Sequence, residues 1–451
     1  MKQIKDHYQN LIIGFGKGGK TLAGYLASQG QEVALVERSE KMYGGTCINV
    51  ACIPTKSLIT NAEKNIPYEQ AFVIKNDLTS LLRKKNYDNL ENKPLVTIIN
   101  GSASFTSAHE VEIELAGASE LKAIRAERIF INTGSEPAIP HISGINSSNR
   151  VYTSASLMDQ SGHPQKLIII GGGFIGLEFA DMYSKFGSDV TLLDRGRIFL
   201  PKEDRDVANE VHKVLTEKGI KIIMDASVNE ISDTDHGVSV HFNEGNLAEQ
   251  ELKGSAVLLA TGRRPNTDAL RLISANIETD ERGFITVNNK LETTVSNVWA
   301  IGDVNGGPQF TYISLDDFRI IRDQLFGGDY TSTAKRKEVA SSVFITPPLA
   351  HVGLREHEAI EKGYRIKVAK LPASAIPRAR IQSNTIGMLK SVVDADSNKI
   401  LGCTLFCVEA SEMINTIQVA MNAGLDYQII RDSIFTHPSM TEAFNDLYAS
   451  I

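Results

Sequence analysis

The 451-residue sequence has few cysteines, no excess of basic charge and no long hydrophobic run. Its formal net charge is -7, from 47 Lys and Arg residues against 54 Asp and Glu residues, which argues against nucleic acid or an anionic membrane as a partner. No apolar run approaches the roughly 20 residues of a membrane span. The polar start, MKQIKDHYQN, also lacks the apolar core of a signal peptide. With only four cysteines, we expect a cytoplasmic protein in a reducing environment, where a disulfide is more often catalytic than structural.

Two segments of the chain repeat one design. LIIGFGKGGKTLAGYLASQGQEVALVE begins at Leu11, and LIIIGGGFIGLEFADMYSKFGSDVTLLD begins at Leu167. Each reads as an apolar strand, a GxGxxG turn, a helix and a second strand, which ends at Glu37 in the first copy and at Asp194 in the second. This is the pattern of a Rossmann-like dinucleotide-binding unit, and two complete copies indicate two dinucleotides.

The glycines and acids of each motif suit a dinucleotide for physical reasons. The first glycines let the chain turn tightly and bring backbone N–H groups against a pyrophosphate, and the last lets helix and strand pack closely. The acid can accept hydrogen bonds from a ribose diol. The alternative is that the glycines only form tight turns and bind no ligand. The presence of two complete units makes this the weaker interpretation. The glycines concerned are Gly14, Gly16 and Gly19 in the first motif and Gly171, Gly173 and Gly176 in the second.

The length and the later sequence predict further domains. A chain of 451 residues exceeds what one hydrophobic core usually organises. Beyond about residue 340, short alternating strands at 387–393 and 399–406 lie between helices at 354–362 and 411–423. We therefore expect an α/β fold with two dinucleotide-binding domains and a separate C-terminal α+β domain.

Two of the four cysteines lie five positions apart in GGTCINVACIPTK. Four interpretations compete for this pair: a structural disulfide, half of a zinc site, buried residues that only pack in the core, and a redox pair. A zinc site would need Cys403 and Cys407 as well. Neither pair has the two-residue gap of a common zinc knuckle, and about 350 residues separate them. Cys403 and Cys407 lie in an apolar, strand-like run, so we expect them to pack in the core.

Helix geometry favours the redox interpretation for Cys47 and Cys52. In an ideal helix their Cα atoms would lie about 8.6 Å apart, whereas a disulfide needs less than about 7 Å. A bridge therefore requires a distorted helix start, for which Gly44-Gly45 and Pro54 provide the means. A strained bridge near a helix N-terminus is readily reduced, and the helix field stabilises its thiolates.

GGTCINVACIPTK, the two glycine motifs, TGRRPN, WAIGD and HPSMTE together resemble the class I pyridine nucleotide–disulfide oxidoreductases over essentially the whole chain. That family includes dihydrolipoamide dehydrogenase, glutathione reductase and mercuric reductase. The resemblance implies non-covalent FAD on the first motif, NADH or NADPH on the second and a homodimer formed by the C-terminal domain. The implied segments are 1–150 (FAD, first part), 151–270 (NAD(P)H), 271–335 (return to the FAD domain) and 336–451 (dimerisation).

The resemblance also implies residue roles. Cys47 would be the interchange thiol that meets substrate, and Cys52 the thiol that faces the flavin. His437 and Glu442 would form an acid–base dyad that reaches the cysteines of the partner subunit. Lys56 would lie near the reactive edge of the flavin, paired with Glu178. The implied FAD contacts are Gly14, Gly16, Gly19, Glu37, Thr46, Lys56, Ala103, Thr133, Gly134 and Asp303. The implied NAD(P)H contacts are Gly171, Gly173, Gly176, Glu178, Asp194 and Gly262.

Within the family, IIGFGKGGKTLA, MYGGTCIN, GGPQFTYISLDD, AIPRAR and IFTHPSM resemble the bacterial reactive-chlorine-resistance flavoproteins, described as copper(II) reductases and hypothiocyanous acid reductases. This implies reduction of a small oxidant, with no resident metal. Dihydrolipoamide dehydrogenase and a flavin-bound redox sensor are the alternatives. The ending NDLYASI, without a cysteine pair, the absence of an N-terminal metal-binding module and the presence of His437 count against a mercuric reductase. The stretch from Arg378 to Arg380 could bind an anion or form a solvated loop.

Overall fold

The computed structural model describes residues 2–117 and 121–451. The chain first forms an α/β layer, then a second α/β layer, then returns to the first, and finally forms an α+β domain. The first segment contains β1 (His7–Ile13), α1 (Lys17–Ser28), β2 (Val33–Glu37), α2 (Thr46–Asn49), α3 (Cys52–Glu63), α4 (Tyr68–Glu91), β3 (Val96–Ser107), β4 (Glu110–Leu115), β5 (Leu121–Ile131) and β6 (Ser135–Pro137).

The second segment builds another parallel sheet with an antiparallel attachment. It contains β7 (Val151–Thr153), α5 (Ser154–Met158), β8 (Lys166–Ile170), α6 (Phe174–Lys185), β9 (Asp189–Leu193), α7 (Arg205–Glu217), β10 (Lys221–Ile223), β11 (Ala226–Thr234), β12 (Gly237–Glu244), β13 (Gln250–Gly254), β14 (Ala256–Leu259) and β15 (Arg263–Pro265). The return to the first layer contains β16 (Val298–Ala300) and α8 (Thr311–Phe326).

The last segment contains β17 (Ser341–Val343), β18 (Leu349–Gly353), α9 (Glu356–Glu361), β19 (Ile366–Pro372), α10 (Pro377–Ile381), β20 (Met388–Asp394), β21 (Ile400–Phe406), α11 (Ala410–Asn422), α12 (Tyr427–Arg431) and α13 (Ala443–Ala449). Its five strands form an antiparallel sheet in the order β17-β18-β21-β20-β19. Helices α11 and α13 pack against this sheet, and Phe406, Phe444 and Tyr448 are fully buried.

The two parallel sheets bring both glycine motifs to strand ends. In the first layer β3, β2, β1, β5 and β16 run parallel, and β4 pairs antiparallel with β3 and β5. In the second layer the order is β10-β9-β8-β14-β7, with β11, β12 and β13 forming an antiparallel sheet. Strands β2 and β14 are buried along their whole length, as expected where helices cover both faces of a parallel sheet.

The predicted α/β class with a C-terminal α+β domain is confirmed. Helices α1 and α6 begin within their glycine motifs, before the last glycine of each. Strand β20 differs from its predicted range by one residue at each end, and β21 by one residue at its start. The solvated-loop interpretation of the Arg378 stretch is wrong, because residues 377–381 form α10, with Pro377 at its start and Ala379 buried. Across residues 2–117 and 121–451, no helix has the length and apolarity needed to cross a membrane.

Candidate active site

The two cysteines of the redox motif lie on opposite sides of a helix break. Cys47 is in α2, and Cys52 is the first residue of α3. Between them Val50 has φ -140° and ψ 5°, and Ala51 has φ -136° and ψ -102°, so neither continues a helix. The break lies one turn before Pro54, where its ring would clash with a continuous helix. The distorted helix start that a Cys47–Cys52 bridge requires is therefore present.

The two thiols differ in their electrostatic environment. A hydrogen bond from Cys47 lowers the pKa of Cys52, and the Thr311 hydroxyl and the charge of Lys56 lower it further against the opposing effect of burial. The Thr311 Oγ1 atom lies 3.7 Å from the Cys52 Sγ atom. The same hydrogen bond, together with burial, raises the pKa of Cys47. In the dithiol these effects favour the thiolate at Cys52 and the protonated thiol at Cys47.

Lys56 and Glu178 connect the first layer to the second. The Lys56 Nζ atom donates to Glu178 Oε2 at 2.7 Å, and Glu178 Oε1 accepts from the backbone N–H of Phe344 at 2.9 Å. The Lys56 ammonium also lies 4.6 Å from the centre of the Phe344 ring. The carboxylate and the ring fix the lysine on the α3 face that bears Cys52, one turn further along the helix.

The first glycine motif is held against β5 too closely for larger residues. Gly14 has φ +102°, and a Cβ atom there would lie 2.4 Å from the Asn132 carbonyl oxygen. The Asn132 side chain accepts from the Gly19 N–H at 2.9 Å and donates to the Ile301 carbonyl at 2.7 Å. Glu37 accepts from the backbone N–H of Phe15 at 3.0 Å, which ties the strand-end acid to the turn.

A cleft of about 1860 Å³ begins at this motif and extends past the cysteines. The Thr133 Oγ1 atom is buried there without a hydrogen-bond partner, and Ser135 donates to Asp303 Oδ2 at 2.7 Å. Glycine N–H groups as donors, a strand-end acid as acceptor and a buried hydroxyl together fit the FAD that the sequence implies. The predicted residues that line the cleft are Gly14, Gly16, Glu37, Thr46, Cys47, Cys52, Lys56, Ala103, Thr133, Gly134, Gly173, Glu178, Gly262 and Asp303.

The second motif repeats the same close packing. Gly171 has φ +111°, and a Cβ atom there would lie 2.4 Å from the Ala260 carbonyl oxygen. A Cβ atom on Gly176 would lie 2.0 Å from the Gly171 carbonyl oxygen. Asp194 accepts from the backbone N–H groups of Gly172 at 2.7 Å and Gly196 at 2.6 Å, so its carboxylate is fixed beside the turn. This arrangement fits the ribose-binding role that the sequence predicts for Asp194.

His437 and Glu442 form a pair away from the cleft. The His437 Nδ1 atom lies 2.8 Å from Glu442 Oε2, and Glu442 Oε1 accepts from the Ser439 backbone N–H at 3.1 Å. The His437 side chain is 70% exposed, and neither member of the pair lines the cleft of its own chain. Burial raises the pKa of Glu442, but the hydrogen bonds from His437 and Ser439 lower it by more, so the pKa is lowered.

Comparison with known proteins decides the family. The model of the pyridine nucleotide-disulphide oxidoreductases matches residues 8–317, and the model of their dimerisation domain matches residues 339–448. The chain belongs to this family. Pyridine nucleotide-disulphide oxidoreductases are enzymes that use FAD and NAD(P)H, so the predicted cofactors are confirmed. The match to the dimerisation domain indicates a homodimer.

Individual relatives of this oxidoreductase cover nearly its whole length. It is 47% identical to the probable pyridine nucleotide-disulfide oxidoreductase RclA of Escherichia coli, over 99% of this chain and 100% of that protein. It is 32% identical to a mercuric reductase of Lysinibacillus sphaericus, over 97% of this chain and 81% of that enzyme. The solved Cu(II) complex of HOCl-induced flavoprotein disulfide reductase RclA from Escherichia coli superposes with a TM-score of 0.95, at 46% identity over 99% of this chain and 100% of the other.

Several contacts of the site could not be predicted from the motifs. Thr311 reaches Cys52 from 259 residues away in the chain, and Phe344 bonds Glu178 from 166 residues away. Lys20 lies on α1 next to the glycine motif, where its charge interacts with Cys47. In the sequence, Lys20 is a lysine next to a phosphate-binding turn. A surface lysine is common at such a position, so the sequence did not single it out.

Proposed function

We propose that this flavoprotein disulfide reductase uses reduced nicotinamide to reduce hypothiocyanous acid through the Cys47–Cys52 pair. The observation that carries the proposal is the dithiol itself. A helix break brings the two thiols within hydrogen-bonding reach, and the pKa values of the two thiols move in opposite directions. Cys52 is therefore suited to stay ionised, and Cys47, which holds the proton, needs a base before its thiolate can attack an oxidant. The resemblance of the sequence to reactive-chlorine-resistance flavoproteins and its 47% identity to RclA support the choice of oxidant.

The residues proposed to hold the cofactors follow from the two motifs. Gly14, Gly16 and Gly19, with Glu37 and Asp303, would bind FAD. Gly171, Gly173 and Gly176, with Asp194 and Gly262, would bind the nicotinamide dinucleotide. The chemistry that FAD supplies when bound is transfer of an electron pair from reduced nicotinamide to the Cys47–Cys52 disulfide. Lys56, held by Glu178, would stabilise negative charge beside Cys52.

The proposed reaction at sulfur balances as two displacements. The Cys47 thiolate attacks the sulfur of hypothiocyanous acid, forming an S–S bond while the S–O bond breaks and water leaves with one added proton. The Cys52 thiolate then attacks the Cys47 sulfur, re-forms the disulfide and expels thiocyanate. The hypothiocyanous acid gains two electrons and the dithiol loses two.

The proton for the first displacement is proposed to come from the partner's His437. Its exposure and its position outside the cleft of its own chain support a role across the dimer interface. Glu442, bonded to Nδ1, would fix the imidazole tautomer. The same imidazole would take the proton of the Cys47 thiol at the start of the next cycle.

Copper(II) is the second candidate oxidant, favoured by the solved Cu(II) complex of RclA. In the part of the chain that the structure describes, no three His, Cys, Asp or Glu side chains form a metal-binding group. We propose that copper(II) would meet the Cys47–Cys52 dithiol, because a dithiol is a soft ligand and an electron donor.

A substrate panel tests the proposal directly. NADH oxidation by the holoenzyme would be measured with hypothiocyanous acid, copper(II), mercury(II), lipoamide and glutathione disulfide under anaerobic conditions. We expect the highest kcat/KM with hypothiocyanous acid and loss of that activity in Cys47→Ser. Preferred turnover of lipoamide, in either direction, would instead assign a dihydrolipoamide dehydrogenase. Absence of turnover with every oxidant would favour a redox sensor.

A further inference from the structure

Two cations, Lys20 and Arg83, contact the segment that carries Cys47 without lining the cleft. Lys20, in the second turn of α1, donates from Nζ to the Gly44 carbonyl at 3.2 Å and to Asn86 Oδ1 of α4 at 2.6 Å. Arg83, one turn before Asn86, donates from Nε to Asn49 Oδ1 at 2.8 Å. Both cations therefore contact the short segment that carries Cys47, and both do so through neutral oxygen atoms.

The Lys20 ammonium lacks a counterion. Among the residues that the structure describes, no carboxylate forms an ion pair with Lys20 or Arg83, although both side chains are partly buried. An ammonium has three N–H donors, and the two acceptors described above leave one for another ligand. Burial, with a contribution from Lys17, lowers the pKa of Lys20 to about 8, so the cation persists at neutral pH, and the charge of Cys47 opposes this lowering.

The chemistry at Cys47 produces the anion that this cation lacks. We propose that the Lys20 ammonium stabilises negative charge at Cys47, in particular on the anion released when Cys52 re-forms the disulfide. The identity of that anion as thiocyanate rests on the proposed function, whereas the electrostatic role of Lys20 does not. A fixed ammonium near the departing group stabilises negative charge as it develops, and partial burial strengthens the effect.

Charged thiol reagents measure this role without reference to the physiological oxidant. Two methanethiosulfonates of similar size, the anionic sulfonatoethyl and the cationic trimethylammonioethyl reagents, both transfer their thioalkyl group to a thiolate and release methanesulfinate. The ratio of their rates reports the potential at the thiol and cancels changes in thiolate fraction. The measurement would use the Cys52→Ser holoenzyme and intact mass, because Cys403 and Cys407 are fully buried and Cys47 is then the remaining reactive thiol.

Four variants in that background separate charge from structure. We expect Lys20→Met to lower the anionic-to-cationic rate ratio roughly tenfold, and Lys20→Arg to preserve it. Asn86→Asp, which adds a carboxylate to the existing contact, should lower the ratio as Lys20→Met does. The matched control is Lys84→Met on α4, since Lys84 is 74% exposed and paired with Asp88. FAD content, read from the absorbance ratio at visible and ultraviolet wavelengths, establishes that each variant is intact.

The outcomes are distinguishable. An unchanged ratio in both Lys20→Met and Asn86→Asp would overturn the role of Lys20, even if hypothiocyanous acid proved to be the substrate. A lowered ratio in a protein that does not reduce hypothiocyanous acid would support Lys20 and reject the proposed oxidant. With Cys52 restored, Lys20→Met should also lose roughly tenfold in kcat with hypothiocyanous acid, because thiocyanate leaves only after the first displacement, while retaining its NADH KM. If Lys20→Met cannot be isolated with FAD, the other two variants test the role of Lys20: Asn86→Asp should lower the rate ratio, and Lys20→Arg should preserve it.

Discussion

At the residue scale, Cys47 and Cys52 share one environment but not one protonation state. Cys52 accepts hydrogen bonds from Cys47 and Thr311 and lies in the field of Lys56, whereas Cys47 has its proton held by the bond to Cys52. We predict a long-wavelength charge-transfer band between the Cys52 thiolate and FAD after two-electron reduction. In wild type the band should appear during anaerobic titration with NADH. Cys47→Ser has no disulfide to reduce and should show the band while FAD is still oxidised, whereas Cys52→Ser should lack it under both conditions. If the two variants behaved identically, the roles assigned to Cys47 and Cys52 would be wrong.

The same environment predicts a pH dependence. The pKa of Cys52 is lowered, so its thiolate is present above that pKa and is lost as the pH falls through it. Thr311→Val removes a donor to the thiolate, so the band should disappear at a pH higher by roughly one unit. Thr55→Val is the control, because Thr55 lies on the same helix as Cys52 and its hydroxyl donates to the Ala51 carbonyl instead of the thiolate. Coincident titrations of Thr311→Val and wild type would show that the hydroxyl does not stabilise the thiolate.

Asp194 leads to a prediction about the nicotinamide substrate. Its carboxylate is fixed by two backbone N–H groups, in a position that favours a ribose 2′-hydroxyl and repels a 2′-phosphate. We expect NADH to be used at least as well as NADPH, and Asp194→Asn to raise the NADPH-to-NADH ratio of kcat/KM by roughly tenfold. Arg195 and Arg197 lie close enough to weaken the wild-type preference. A strong wild-type preference for NADPH would contradict this role.

At the scale of elements, the turn before α2 controls how closely the redox segment approaches the first glycine motif. Gly45 has φ +83°, and a Cβ atom there would lie 2.8 Å from the Cα atom of Gly16. Gly45→Ala should therefore reduce FAD content and lower the free energy of unfolding by roughly 2–4 kcal/mol, from backbone strain and a backbone clash together. Gly30→Ala is the matched control, since Gly30 has φ +76° with open space around it. If both variants lost the same free energy of unfolding, backbone strain alone would explain the loss and the clash with Gly16 would not contribute.

Elements with strong local signals were predictable from the sequence, and contacts between distant elements were not. The apolar runs before Gly14 and Gly171 and the periodic segments after them predict β1, α1, β8 and α6 because local pattern and tertiary packing agree there. The break at Val50 and Ala51 followed from Pro54 and helix geometry. By contrast, Thr311 and Phe344 reach the site only through the packing of α8 and β17, for which short-range patterns carry no information.

At the scale of the whole molecule, the position of His437 predicts that two subunits build each site. A heterodimer with Cys47→Ser in one subunit and His437→Ala in the other would contain one intact and one doubly altered site. We expect about half of wild-type activity, whereas each mutant homodimer should be severely impaired, because the intact site works independently. The measurement is steady-state NADH oxidation by tagged, co-purified heterodimers. Activity at the level of the single mutants would show that cysteines and histidine act within one chain.

The burial of Cys403 and Cys407 determines where an oxidant can damage this protein. Burial raises the pKa of both thiols, to about 12 for Cys407, so neither supplies a reactive thiolate at neutral pH. Attack by an oxidant at cysteine is then confined to the pair that the enzyme re-reduces in every cycle. Under the proposed function, oxidation at Cys47 is a step of turnover rather than a lesion, because the next reduction of the disulfide restores the thiol.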